Sequence, residues 1–248
     1  MKQVFPALNI GTELVNMIEF SIGQALSLAK IDQTKKEQQL SAFLGFVLED
    51  ATKPYTMTVQ QRYYCLLQYL GAQVENDLAQ DVDVNDYLIA TDKPWIESVA
   101  VGNSSFRQLN GTEIEALELI ATNVSDWLMG AMALQVTCEG LPYIGFLNDR
   151  RHAAKVIKNR YDLLMTFDQK KIDDLYQQFI TAEEQLSSFL YVGYDKDGVV
   201  IYEAEGGSDS VPARFQCNTA LYGITKQLFS AMVDGSTEAP VQREHEFE

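Results

Sequence analysis

"TVQQRYYCLLQYLG", Thr58–Gly71, decides how this chain is read, because it packs three tyrosines, three leucines and one cysteine into 14 residues. Either it lines a site, or it is a helix turned into a core. Thr58 and Gln61 stand at the spacing of a capping box, and Pro54 keeps the preceding chain out of the helix. Val59, Tyr63, Leu66, Leu67 and Leu70 recur at helical spacing on one face. Gly71 falls where a left-handed C-terminal residue belongs. Tyr64 lies between the faces, with its hydroxyl within reach of water. The spacing predicts an amphipathic helix that packs its tyrosines into a core, rather than a tyrosine-rich catalytic or stacking site.

The rest of the chain has the material for such a core. It has 248 residues, of which 46% are apolar, enough for one large domain or two small ones without disulfide staples. The 35 acidic and 19 basic residues leave a formal charge of −16, which argues against nucleic acid as the main ligand. Basic proteins, cations and neutral surfaces stay open as partners. The three cysteines, Cys65, Cys138 and Cys217, form no C-x-x-C pair and read as reduced, mostly buried thiols of a cytoplasm-made protein. "MKQVFPALNI" is too short in apolar run for a signal peptide, and no stretch approaches 18 apolar residues, so no membrane contact is expected.

Working outward, "ELVNMIEF" (Glu13–Phe20) reads as a strand. "SIGQALSLAKI" reads as a helix capped by Ser21 and Gln24. "TKKEQQLSAFLGFVLED" reads as a helix with Leu40, Phe43, Leu44 and Val47 inward. Residues 71–97 carry seven acids and one lysine and read as an exposed acidic connector, partly ordered by Tyr87, Leu88 and Trp95. "SVAVG" is a short strand before the turn "GNSS". Beyond it, Thr112 and Glu115 mark a third capping box, with Ile114, Leu117 and Ile120 or Ala121 on one face. Ser125 or Asp126 caps a helix through Trp127, Ala131 and Leu134, in which Gly130 and Ala131 permit close approach of a neighbour. "CEGLPYIGFLND" is a loop or short strand. A long helix follows with Ile172, Leu175, Phe179 and Leu186 inward. Two β-rich runs flank "DKDG" as a hairpin, and "TALYGITKQLFSAM" is a last helix. The class is α+β and mainly helical, with amphipathic helices and a small β-hairpin portion toward the C-terminal half. The organisation reads as 1–97, 98–233 and an acidic tail, 234–248, with the first two portions separate or forming one domain.

Chemical motifs are scarce. Neither "SIGQAL" nor "GGSDS" makes a phosphate loop. Two histidines, His152 and His245, and three scattered cysteines give no zinc spacing. Asp81, Asp83 and Asn85 match the first EF-hand positions, but Asp86 stands where the turn needs glycine and Asp92 where a glutamate belongs. No nucleophile elbow appears, and Cys138 with His152 is proximity in sequence only. The reading is therefore a chain without catalytic residues, metal or cofactor. Its positive island is "DRRHAAKVIKNR", with five basic residues and one acid. Arg150, Arg151, Lys155 and Lys158 are a solvated helix end paired with acids, a docking surface for an acidic partner protein or, least favoured because the rest of the surface would repel it, a nucleic-acid contact. The tail Asp234–Glu248 holds five acids and one arginine and is expected to order only on contact, with Phe247 as an apolar anchor.

The "TVQQRYYCLLQYLG" segment resembles the threonine-capped "T-x-Q-x-R-Y" helix of T4-type bacteriophage baseplate proteins and their relatives in other tailed phages. "LNGTEIEALE" followed by "DWLMGAMALQ" is similar to their second segment, and "YDKDGVVI" with "VPARF" continues the likeness; residues 37–135 carry its best part. The resemblance implies a structural, non-enzymatic tail protein of the baseplate, hub or tip. Such a protein docks on other tail proteins in several copies of a symmetric assembly, and is located in the virion tail. A tail assembly chaperone that leaves the mature virion is the alternative. An enzyme with a site built from scattered residues is the third reading, which an apolar pocket with convergent titratable groups would favour.

Overall fold

The computed structural model describes residues 5–19, 21–72, 83–89, 93–205 and 211–218. Strands β1 (Leu8–Asn9) and β2 (Leu14–Val15) pair antiparallel and lead into helices α1 (Ile22–Leu28), α2 (Lys36–Val47), α3 (Lys53–Thr56) and α4 (Val59–Gly71). A 3₁₀ turn at Val84–Tyr87 precedes β3 (Ser98–Val101) and β4 (Ser104–Arg107). Next come α5 (Gly111–Ile120), α6 (Val124–Gln135) and β5 (Val136–Thr137), which completes a three-stranded antiparallel sheet in the order β3-β4-β5. The described elements end with α7 (Arg150–Leu164), α8 (Gln169–Leu186) and the hairpin β6 (Tyr191–Asp195)–β7 (Gly198–Tyr202). The fold is α+β and mainly helical, with small antiparallel sheets.

The decisive segment is indeed an amphipathic helix turned inward, but its polar face is buried as well as its apolar one. In α4 the apolar stripe is buried, and so are Gln60, Gln61, Arg62 and Tyr64. Both faces of the helix are buried, and Gln60, Gln61 and Arg62 each have specific partners, although Arg62 Nε has none among the described residues. The Thr58–Gln61 capping box is formed, and Gln61 Nε2 also donates to the Ile10 carbonyl at 2.9 Å. Tyr64, expected to reach water, stacks on Phe189 with centroids 4.4 Å apart. Tyr69 meets Phe43 edge-on at 5.0 Å. Gly71 is not the left-handed terminator: it continues the helix, and Ala72 closes it in right-handed conformation.

Two other caps fall away from their expected positions. Asn110, not Thr112, caps α5, and Glu113 completes the box. Asn123, rather than Ser125 or Asp126, caps α6 by accepting from Asp126 N–H. In both places the side chain that reaches the third amide wins over the hydroxyl nearer the apolar run. The caps of α4 and α5 lie side by side: Thr58 and Asn110 form an antiparallel bridge, with Val59 N–H on the Leu109 carbonyl and Gly111 N–H on the Met57 carbonyl, both at 2.9 Å. A Cβ at Gly111 would sit 2.0 Å from the Pro54 carbonyl oxygen, so this junction needs glycine. Gly130 allows the expected close approach; its Cβ would meet Leu117 Cδ1 at 2.3 Å. Of the alternatives Ile120 and Ala121, Ile120 is exposed and Ala121 packs against the core. "ELVNMIEF" contributes only the two residues of β2 to a strand. One hydrophobic cluster draws on elements from both sides of residues 98–104.

Candidate apolar cleft and its carboxylate

Gln60 and Gln108 hold the turn that borders a prominent cleft. Both amides donate to the carbonyl of Leu186 at the C-terminal end of α8, at 3.0 and 3.1 Å. Gln60 Oε1 then accepts the N–H groups of Ser188 and Phe189 at 2.9 and 3.1 Å. The central helix thus fixes the turn from α8 into β6. On the other side, Tyr194 stacks on Trp127 of α6 with centroids 6.0 Å apart.

Between α8, the start of α6 and the hairpin lies a cleft of about 670 Å³. Tyr176, Ile180 and Glu184 follow one another at i, i+4 on α8, with Phe179, Glu183 and Ser187 alongside; all six line it. Val124 and Leu128 close one end, and Tyr191, Val192, Gly193, Tyr194 and Tyr202 form the opposite wall. Gly193 has a specific role here: a Cβ would lie 2.4 Å from Cε2 of Tyr202, whose ring rests across the bare backbone. The apolar wall is uncovered in part, since Val124, Tyr176 and Ile180 are 46%, 37% and 38% exposed.

A partly buried polar pair lies where this cleft adjoins a small void. Gln135 Nε2 donates to Glu183 Oε1 at 2.6 Å, and Gln135 is 5% exposed. Burial pushes the Glu183 carboxyl up to about 7, against the opposing pull of the Gln135 amide. Burial, together with the Glu183 charge, raises the Tyr194 phenol well above its ordinary value. Gln135 Oε1 is buried and has no hydrogen-bond partner among the described residues. It borders a small void of about 20 Å³ that also touches Glu183, Tyr194 and Gln60. The sequence reading missed this site. Its one available signal was the spacing of Tyr176, Ile180 and Glu183 beside the inward stripe, where Leu175, Phe179 and Leu186 are buried and Ile172 is partly buried.

The singled-out residues sit elsewhere. Arg150 is tied to the buried carboxylate of Glu115 at 2.8 Å. Arg151, Lys155 and Lys158 are exposed at i, i+4, i+7 on α7. Arg160, from the same island, is buried; its guanidinium donates to the carbonyls of Ala133, Val136 and Pro142, where α6 ends and β5 begins. Burial lowers its pKa to about 10. Phe247, the acidic tail and the last expected helix lie outside the described residues, as does Asp81. Asp83 caps the 3₁₀ turn by accepting from Asn85 N–H at 2.9 Å, and among the described residues no three His, Cys, Asp or Glu side chains cluster to hold a metal ion. Cys65 and Cys217 are buried free thiols pushed to about 12, and Cys138 is partly exposed. No described helix is long and apolar enough to cross a membrane.

The chain matches no protein-family model, no curated protein and no solved structure.

Proposed function

We propose that this chain is a non-enzymatic assembly protein of a bacteriophage tail, in the baseplate, hub or tip, and that a neighbouring tail protein docks in the cleft between α8 and β6. The tail setting rests on the resemblance of the Thr58 helix, the Leu109–Gln135 segment and the hairpin to baseplate proteins. The docking reading rests on the uncovered apolar wall of Val124, Tyr176 and Ile180, since contiguous exposed apolar surface marks a place where another molecule binds. The core ion pairs serve the fold: Arg62 holds Glu37, and Arg107 holds Glu113. Arg151, Lys155 and Lys158 offer a second, solvated contact for an acidic surface, worth about 0–1 kcal/mol per pair.

The test is mass spectrometry of purified particles carrying the wild-type chain or Ile180→Asp. The reading expects stoichiometric wild-type chain and a depleted variant. Abundance in infected cells with absence from particles replaces it by the assembly chaperone. Equal incorporation of both chains overturns docking at the cleft.

One observation favours a second reading. Glu183, near 7 in an apolar cleft beside Tyr194, has the protonation range of a general acid or base. Turnover of ester, amide or glycoside substrates by the purified chain, lost in Glu183→Gln, would carry that reading.

A further inference from the structure

Among the described residues, the β6–β7 hairpin has one occupied edge and one open edge. Its turn is the two residues Lys196–Asp197, flanked by the pair Asp195–Gly198. In such a hairpin the flanking pair exchanges hydrogen bonds, so bonding alternates back along the ladder. The backbone groups of Tyr191, Gly193 and Asp195 then face β7, and those of Val192 and Tyr194 face outward. The same alternation is visible on β7. Ile201, the register partner of Val192, turns its N–H and C=O outward to Ala213, at 2.9 and 2.8 Å. Among the described residues, no backbone hydrogen bond comes to Val192 or Tyr194 from outside the hairpin. "YVGYD" has no proline or lysine to blunt such an edge.

The open edge borders the cleft. Four consecutive residues, Tyr191–Tyr194, line it; a sheet face alone would present every second residue. Opposite the edge stands Glu183, and behind it Gln135 Oε1, unpartnered among the described residues, borders the small void that Glu183, Val192 and Tyr194 also line. Two acceptors beside tyrosine rings fit a group that only donates, such as an ammonium or guanidinium. A basic segment also suits a chain of net charge −16.

We infer that the cleft takes an extended segment of the partner protein as an added strand on the outer edge of β6, with a lysine or arginine of that segment seated against Glu183 and Gln135. This deepens, and rests on, the docking reading. Main-chain bonds to Val192 and Tyr194 supply affinity, and the basic side chain supplies selectivity.

The test uses the full purified chain and fluorescent octapeptides of alternating threonine and valine. One central position carries lysine, or norleucine as the neutral match. Anisotropy gives affinity, and amide exchange followed by NMR gives backbone protection. The lysine peptide should bind about tenfold more tightly than the norleucine one, the scale of one partly desolvated ion pair. Glu183→Gln should bring the two to the same affinity. The amides of Val192 and Tyr194 should slow on saturation. Val192→Pro removes an outward N–H without touching a hairpin bond, and should abolish binding while the thermal melt is retained; if that variant unfolds, the exchange data decide. No binding, or equal affinity of both peptides for the wild type, overturns the inference. Binding without protection of these two amides overturns strand addition but leaves docking at the cleft standing, which the Ile180→Asp incorporation result tests separately.

Discussion

Arg62 and Glu37 form a buried ion pair at 3.0 Å, with side-chain exposures of 0% and 1%. Tyr63 Oη donates to the other carboxylate oxygen at 2.6 Å, and Arg62 also reaches the carbonyls of Glu37 and Pro54. Burial pushes the Glu37 carboxyl up, and Arg62 and the phenol pull it back. Removing only one partner leaves the other charge buried and unpaired. Arg62→Ala should therefore cost about 3–5 kcal/mol, whereas Arg62→Leu with Glu37→Leu should cost much less. Denaturant melts of both variants check this; equal losses would mean that the pair itself, not the orphaned charge, sets the cost.

Leu67 is 0% exposed at the centre of α4. Leu67→Ala should destabilise the protein by about 2–5 kcal/mol, the range for a buried large-to-small change. An unchanged thermal melt would contradict the central place given to this helix.

How much of this was legible beforehand depended on whether a signal was local. The boxes at Ser21 and Thr58 and the stripes of α2 and α8 depend on neighbours within a turn or two, and they are present in the fold. The burial of Gln60, Arg62 and Arg160 was not legible, because each is satisfied by distant partners: Leu186, Glu37 and the end of α6. A polar residue at helical spacing reads as solvated until its partner is known. The cleft was invisible for the same reason, since α6, α8 and β6 meet only in the fold.

Two glycines should differ sharply when replaced. At Gly111 an added Cβ would meet the Pro54 carbonyl oxygen, and at Gly130 the end of the Leu117 side chain. A side chain can turn aside, but a backbone carbonyl held by Arg62 cannot do so cheaply. Gly130→Ala should cost about 1–3 kcal/mol and Gly111→Ala more, as ranked by paired melts; the reverse order would contradict the packing of the α4 and α5 caps.

Glu118 and Glu183 both titrate near 7 in the fold, raised chiefly by burial from the ordinary 4.5. Between those values the unfolded chain releases protons that the folded chain keeps. Stability from these groups is thus complete below 4.5, is lost as pH rises toward 7, and changes little above. Asp32, Asp50 and Asp126 are held below 3.8 and act under this window. The melting temperature should fall from pH 4.5 to pH 7.5, and Glu183→Gln should flatten part of that fall. A variant with the same slope as the wild type would remove Glu183 from the account.

The central claim, that a tail neighbour covers the cleft, is tested most directly by site-specific crosslinking in assembled particles. A photoreactive phenylalanine analogue at Ile180, in the exposed wall, should join the chain to one other tail protein, and the same probe at Ser105, exposed on the separate β3–β4–β5 sheet, should give no such product. If Ile180 yields no crosslink in particles that contain the chain, the cleft is not the docking surface.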